Sequence, residues 1–154
     1  MKTAVVFVAL IATCAAMDTT NLMQVGLKAQ DMYEKCVADL EATTIYNLLM
    51  WEGHNDKDTN CARACLMTVI GTMDDKKINM AMIEEKMNAC PWLQSHADVK
   101  STMLKVYKSC QTTAEAGADE CAVAGQWSKC FKELLINMIM ESFKAMRAVI
   151  DNMP

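Results

Sequence analysis

The sequence predicts an all-α protein built as one domain, and three observations carry that expectation. Only two prolines and five glycines interrupt its 154 residues. No stretch alternates apolar with polar residues as a half-buried strand would, and in several windows apolar residues recur at the three-and-four spacing of a helix face. Eight cysteines and fifteen methionines stand beside few aromatics, so the interior is expected to be cross-linked and filled with soft, adaptable side chains.

The N-terminus sets the compartment. Met1-Lys2 carries one positive charge, Ala4 to Ala12 (AVVFVALIA) is an apolar run of signal-peptide length, and the small residues Cys14, Ala15 and Ala16 follow. Residues 1–16 read as a secretory signal peptide cleaved after Ala16, with cleavage after Cys14 as the alternative. Residues 17–154 then form a single secreted, extracellular domain, and no later apolar run has the length of a membrane span. A net charge of −4 with scattered lysines gives no footing for nucleic-acid binding.

About six helices follow in order. Residues 21–40 place Leu22, Val25, Ala29, Met32, Tyr33, Cys36, Val37 and Leu40 on one face, the pattern of an amphipathic helix. Ile45 to Trp51 is a short helix ending in the polar loop EGHNDKDTN, residues 52–60. Asp58 or Thr59 caps the next helix, which turns Cys61, Cys65, Leu66, Val69 and Ile70 inward and stops near Gly71. MDDKKIN is a turn. Asn79 starts a short helix through Met87, and Pro91 marks the break after it. Ser95 with Asp98 resembles a capping box for a helix through Met103, Val106, Tyr107 and Cys110. TTAEAGADE is a loop. The last helix runs from about Glu120 to Val149, and its apolar arc, including Phe131, Leu134, Leu135, Met138, Ile139, Phe143 and Met146, is broad enough to require burial on more than one side.

The cysteines come next. Cys14 leaves with the leader, and Cys36, Cys61, Cys65, Cys90, Cys110, Cys121 and Cys130 remain. Cys61 and Cys65 lie about one helical turn apart, on one face, so they reach two neighbouring helices rather than each other. Cys121 and Cys130 point to opposite sides of their helix and also need different partners. Spacing alone leaves several pairings open.

Without Cys90, the order is Cys36-x24-Cys61-x3-Cys65-x44-Cys110-x10-Cys121-x8-Cys130. Its C-x3-C and C-x8-C pieces, the secretory leader, the helical pattern and Phe131-Lys132 after the last cysteine resemble the insect odorant-binding proteins, of the pheromone- and general-odorant-binding type. The long third gap and Cys90 inside it depart from that pattern. The resemblance implies the disulfides Cys36–Cys65, Cys61–Cys121 and Cys110–Cys130, with Cys90 left as a free thiol or joined to a second chain. It implies helices clamped by three interlocked cross-links around an apolar cavity that carries small hydrophobic ligands. Helix faces nominate Trp51, Leu66, Ile70, Met103, Tyr107, Leu134, Leu135 and Met138 as its lining, and the methionine content points to broad selectivity.

Other functions fit less well. His54 in a polar loop and His96 at a helix start lie in no recognisable constellation with a nucleophile, so the protein is expected to be non-enzymatic and to need no cofactor. A zinc site using Cys61 and Cys65 would need reduced thiols, against the leader, so no metal is expected. Plant-type lipid-transfer proteins use an adjacent cysteine pair, which is absent. The runner-up is a secreted structural or signalling helical protein with a filled interior that acts through protein contacts. Residues 139–154 carry too many apolar side chains to leave in water, and are expected to form a fixed wall of the cavity, with a homodimer contact as the alternative. The sequence does not bear on a receptor contact.

Overall fold

The computed structural model describes residues 30–151. The leader, its cleavage site and the apolar positions Leu22, Val25 and Ala29 of the first helical stretch lie outside them. Residues 30–36 are helical (α1). They are followed by α2 (Ala42–Met50), α3 (Lys57–Val69), a two-stranded antiparallel hairpin of β1 (Met73–Asp74) and β2 (Lys77–Ile78), then α4 (Met80–Asn88), α5 (Pro91–Ser95), α6 (Ala97–Ala114) and α7 (Glu120–Asp151). The protein is mainly helical, as its periodicity predicts.

Local chemistry explains the boundaries, including those that differ from expectation. α3 begins two residues early because Asp56, not Asp58 or Thr59, is its cap, its carboxylate accepting from the Thr59 backbone N–H at 3.0 Å and from the Thr59 hydroxyl. α3 closes as expected near Gly71, whose φ of +78° lets Gly71 N–H reach the Thr68 carbonyl and Thr72 N–H the Met67 carbonyl, a Schellman closure. The MDDKKIN turn is a miniature hairpin. Asp75 turns it at φ 51°, and Met73 faces Ile78 across the ladder with both side chains buried. Four strand residues are too few to register as a period. The hairpin is tied to the end of α6, where Glu115 accepts from Ile78 N–H at 2.8 Å.

Asn79 caps α4 through Met82 N–H at 3.0 Å. Pro91 opens α5 rather than ending α4, since a first-turn proline gives up no hydrogen bond. The expected Ser95–Asp98 capping box is absent: Ser95 closes α5 and its hydroxyl donates to the Pro91 carbonyl, so α6 starts after His96 with no side-chain cap. α6 also continues to Ala114, through residues read as loop.

The core lies where α3, the hairpin, α4 and α5 meet α6 and α7. It is built from Ala64, Met67, Met73, Ile78, Ile83, Met87, Leu93, Val123 and Ala124, with Met80, Met103, Tyr107 and Trp127 packed against it. Gly125 allows α7 to press on α3: a Cβ there would sit 2.5 Å from the Asn60 side chain. Three disulfides between described residues lock the arrangement: Cys36–Cys65 joins α1 to α3, Cys61–Cys121 joins α3 to α7, and Cys110–Cys130 joins α6 to α7, with Cα separations of 5.6, 4.3 and 5.7 Å. Each cross-link limits the unfolded chain, an effect of roughly 3–4 kcal/mol.

The reading of Cys90 as a free thiol is corrected. Cys90 is disulfide-bonded, and no cysteine is free among the described residues. Cys90 is almost fully buried, and a cysteine under oxidising conditions is readily bridged.

Candidate functional site

The cross-links bring four aromatic residues together. The Tyr107 ring from α6 lies flat on Phe131 of α7, with centroids 4.5 Å apart, and on Trp127, one turn earlier on α7, at 5.2 Å. The ring of Trp51, just beyond α2, meets Phe131 edge-on at 5.3 Å. Offset and edge-on contacts of this kind are favourable beyond the area they bury. Phe131 is almost fully buried, and burial pushes the Tyr107 hydroxyl up to about 12.

Trp51 reaches this place through an unusual backbone. It occupies the left-handed region, φ 54° and ψ 43°, while its N–H closes on the Leu48 carbonyl and Glu52 N–H on the Asn47 carbonyl. A bulky residue in that region costs roughly 1–2 kcal/mol. Gly53 continues the tight turn at φ +67°, where a Cβ would also meet Asn47 Nδ2 at 2.8 Å.

Two cations hold the loop that follows. The buried Arg63 guanidinium, the centre of C-A-R-A-C, donates to the carbonyls of Asn47 and Glu52 and, at 2.7 Å, to Asn60 Oδ1. Asn60 Nδ2 in turn donates to the His54 carbonyl at 2.8 Å. From α7, Lys132 Nζ donates to the Trp51 carbonyl at 2.9 Å and pairs with the Glu52 carboxylate at 2.8 Å. The Lys132 hydrogen bond is also the main cause holding the Glu52 carboxyl below its ordinary range. Burial pushes the His54 imidazole down, the charges of Arg63 and Lys132 act the same way, and the Trp51 backbone and Glu52 oppose them.

The nominated lining residues are only partly gathered here. Trp51 and Tyr107 meet through Phe131. Met103, one turn before Tyr107, is half-buried against the core. Leu134 and Leu135 are half-buried one turn beyond Phe131, and Leu66 is half-buried on α3. Ile70 is 37% exposed at the end of α3, outside the buried cluster. The Met138 side chain is not among those described. Trp127 escaped sequence reasoning, although its i, i+4 spacing with Phe131 was available as a signal.

Two clefts open on the surface nearby. One, of about 610 Å³, is lined by Glu52, Gly53, His54, Asn55, Asp56 and Lys129. The other, of about 280 Å³, is lined by Asn55, Lys57, Asn60, Asp119, Cys121 and Ala122. Both are lined mainly by polar and charged residues and neither includes the aromatic cluster, so they are poor matches for an apolar molecule. Among the described residues no group of histidine, cysteine and carboxylate side chains could hold a metal ion, and no helix is long and apolar enough to cross a membrane. His96, stacked on Trp92 at 4.4 Å, is exposed and lies on α5–α6 rather than at the aromatic cluster.

No curated protein and no solved structure matches the chain. A family model does, over residues 15–134, a span that holds all six cysteines of the three interlocked disulfides and the whole aromatic cluster. By that match and the cross-links that accompany it, the chain belongs to the PBP/GOBP family, the insect odorant- and pheromone-binding proteins.

Proposed function

We propose that the protein is a secreted, non-enzymatic carrier of small hydrophobic molecules, odorant-like or lipid-like, that binds them against Trp51, Tyr107, Trp127 and Phe131. The observation that carries this reading is the aromatic cluster itself, set between two cross-linked helices and flanked by half-buried Met103, Leu134 and Leu135. Such a cluster supplies apolar contacts for affinity and few polar groups for orientation. Buried Met67, Met73 and Met87 add the deformability that suits several ligands. Residues 1–16 act as the leader and residues 17–154 as the working domain.

The test is uptake of a fluorescent apolar probe by the delipidated protein. Displacement by linear or terpenoid-like compounds at micromolar levels, roughly −8 kcal/mol, is expected, together with a ligand-dependent rise in melting temperature. N-terminal sequencing of the secreted protein checks the leader. A second reading, a filled-interior protein acting through surface contacts, draws on the exposed Leu49, Ile136, Met140 and Phe143. It predicts no saturable probe uptake and no ligand-dependent melting.

A further inference from the structure

Among the described residues, three buried side-chain polar atoms have no hydrogen-bond partner: the two ring nitrogens of His54 and Nε1 of Trp127. His54 lines a polar surface cleft beside Glu52, Asp56 and Lys129, where solvent is close by. Trp127 is different. The rings of Tyr107 and Phe131 stack on it, Val123 and Ala124 precede it by one turn on α7, and the apolar core packs against it. An indole N–H shut away from water ordinarily has an acceptor, and none of the described residues supplies one.

We propose that the Trp127 indole N–H is the donor that orients the bound ligand, so that the protein selects apolar molecules bearing an oxygen acceptor, such as a ketone, aldehyde or ester, over plain hydrocarbons. The inference rests on the carrier reading and adds a ligand class to it. Its chemistry is that of a buried donor whose partner arrives with the ligand: the acceptor replaces an absence, while a hydrocarbon leaves the N–H unmet. Indole has a donor and no acceptor, so alkyl amines held as cations gain nothing at this atom. The neighbouring Tyr107 hydroxyl stays protonated at physiological pH and leaves the cluster uncharged. The aromatic faces around the donor take the hydrocarbon part of the same molecule.

A two-by-two comparison isolates the effect, because it cancels the greater cost of removing a ketone from water. Dissociation constants of a long-chain 2-alkanone and the alkane of equal length are measured by probe displacement on the wild type and on Trp127→Phe. The ketone's advantage, expressed as the ratio of the two constants, is expected to fall about tenfold in the variant, ~1.4 kcal/mol. In the unaltered protein, the ¹⁵N–¹H indole signal of Trp127, assigned by eliminating those of Trp51→Phe and Trp92→Phe, is expected to move downfield with the ketone and not with the alkane. If both ligands bind, the ratio is unchanged and the indole signal treats them alike, the donor role is overturned while the carrier stands. If neither ligand displaces the probe, the carrier reading falls and takes the donor role with it.

Discussion

Arg63 sits between the two cysteines of C-A-R-A-C, and its charge is buried against carbonyls rather than against a carboxylate. Nothing in the cysteine spacing announced this. The sulfur partners were implied by the family resemblance and not by spacing, whereas the acceptors for Arg63 come from Asn47, Glu52 and Asn60, and only the fold assembles them. Arg63→Met keeps much of the side-chain volume and removes every donor. Hydrogen bonds to a charged group contribute about 1.5–3 kcal/mol, so unfolding by denaturant should show a loss of about 3 kcal/mol with the three disulfides unchanged. An unchanged midpoint would mean the loop does not depend on the guanidinium. His54, in the same loop, gives a pH signature. Its folded-state pKa is lowered, chiefly by burial, so below the ordinary histidine value the unfolded chain binds the proton more readily. Stability is therefore expected to fall as pH drops from about 6.5, and His54→Gln should flatten that decline. Glu52 and Asp56, both held low by hydrogen bonds from Lys132 and Thr59, contribute at high pH and lose their contribution only at more acidic values, in the carboxylate range. Thermal melts of wild type and His54→Gln between pH 7 and 5 read the histidine part alone.

Helices were legible where the apolar period ran for several turns, as in α3, α6 and α7, and illegible where an element is too short to repeat its own period, as in the hairpin at Met73–Ile78 and the short α5. Caps moved for a related reason. Asp56, Asp58 and Thr59 can all cap a helix, and the choice fell to the carboxylate whose backbone was placed to receive Thr59 N–H. The implied Cys61–Cys121 bridge already joined α3 to α7, but their close approach was hidden, since Gly125 inside a helical pattern reads as a weak point. In an isolated helix Gly125→Ala would gain about 1 kcal/mol. Here the added Cβ would fall 2.5 Å from Asn60, and Asn60 is the residue that holds Arg63 and the His54 carbonyl. Overpacking costs about 1–3 kcal/mol, and the disturbed Asn60 network adds to it. A net destabilisation of about 2 kcal/mol by chemical unfolding is expected. A more stable Gly125→Ala protein would show that α3 and α7 can separate slightly at no cost.

For the molecule as a whole, the open question in the sequence was what the apolar C-terminal segment covers. α7 runs unbroken for 32 residues to Asp151, ~48 Å at the usual rise, well beyond its last cross-link at Cys130. Ile136, Met140 and Phe143 are 44%, 52% and 60% exposed. They follow one another at four and three residues, so they form one stripe. Leu134 and Leu135, half-buried, are turned by helix geometry toward the opposite side. The two faces should therefore be separable by mutation; from sequence, Ile136 and Met140 already fall outside the centre of the apolar arc, whereas Phe143 counts within it beside Leu134 and Leu135. Ile136→Ser, Met140→Ser and Phe143→Ser together should leave probe affinity within about twofold of wild type, as surface changes usually do. Truncation after Asn137 removes both faces beyond that point but none of the cysteines. If the segment is a cavity wall, the truncated protein should keep its three disulfides by peptide mapping and bind the probe about tenfold more weakly, ~1.4 kcal/mol. Equal loss in the triple variant would put the wall on the exposed stripe. Full affinity in the truncated protein, with a change from dimer to monomer in sedimentation, would make the segment an assembly surface and remove it from ligand binding.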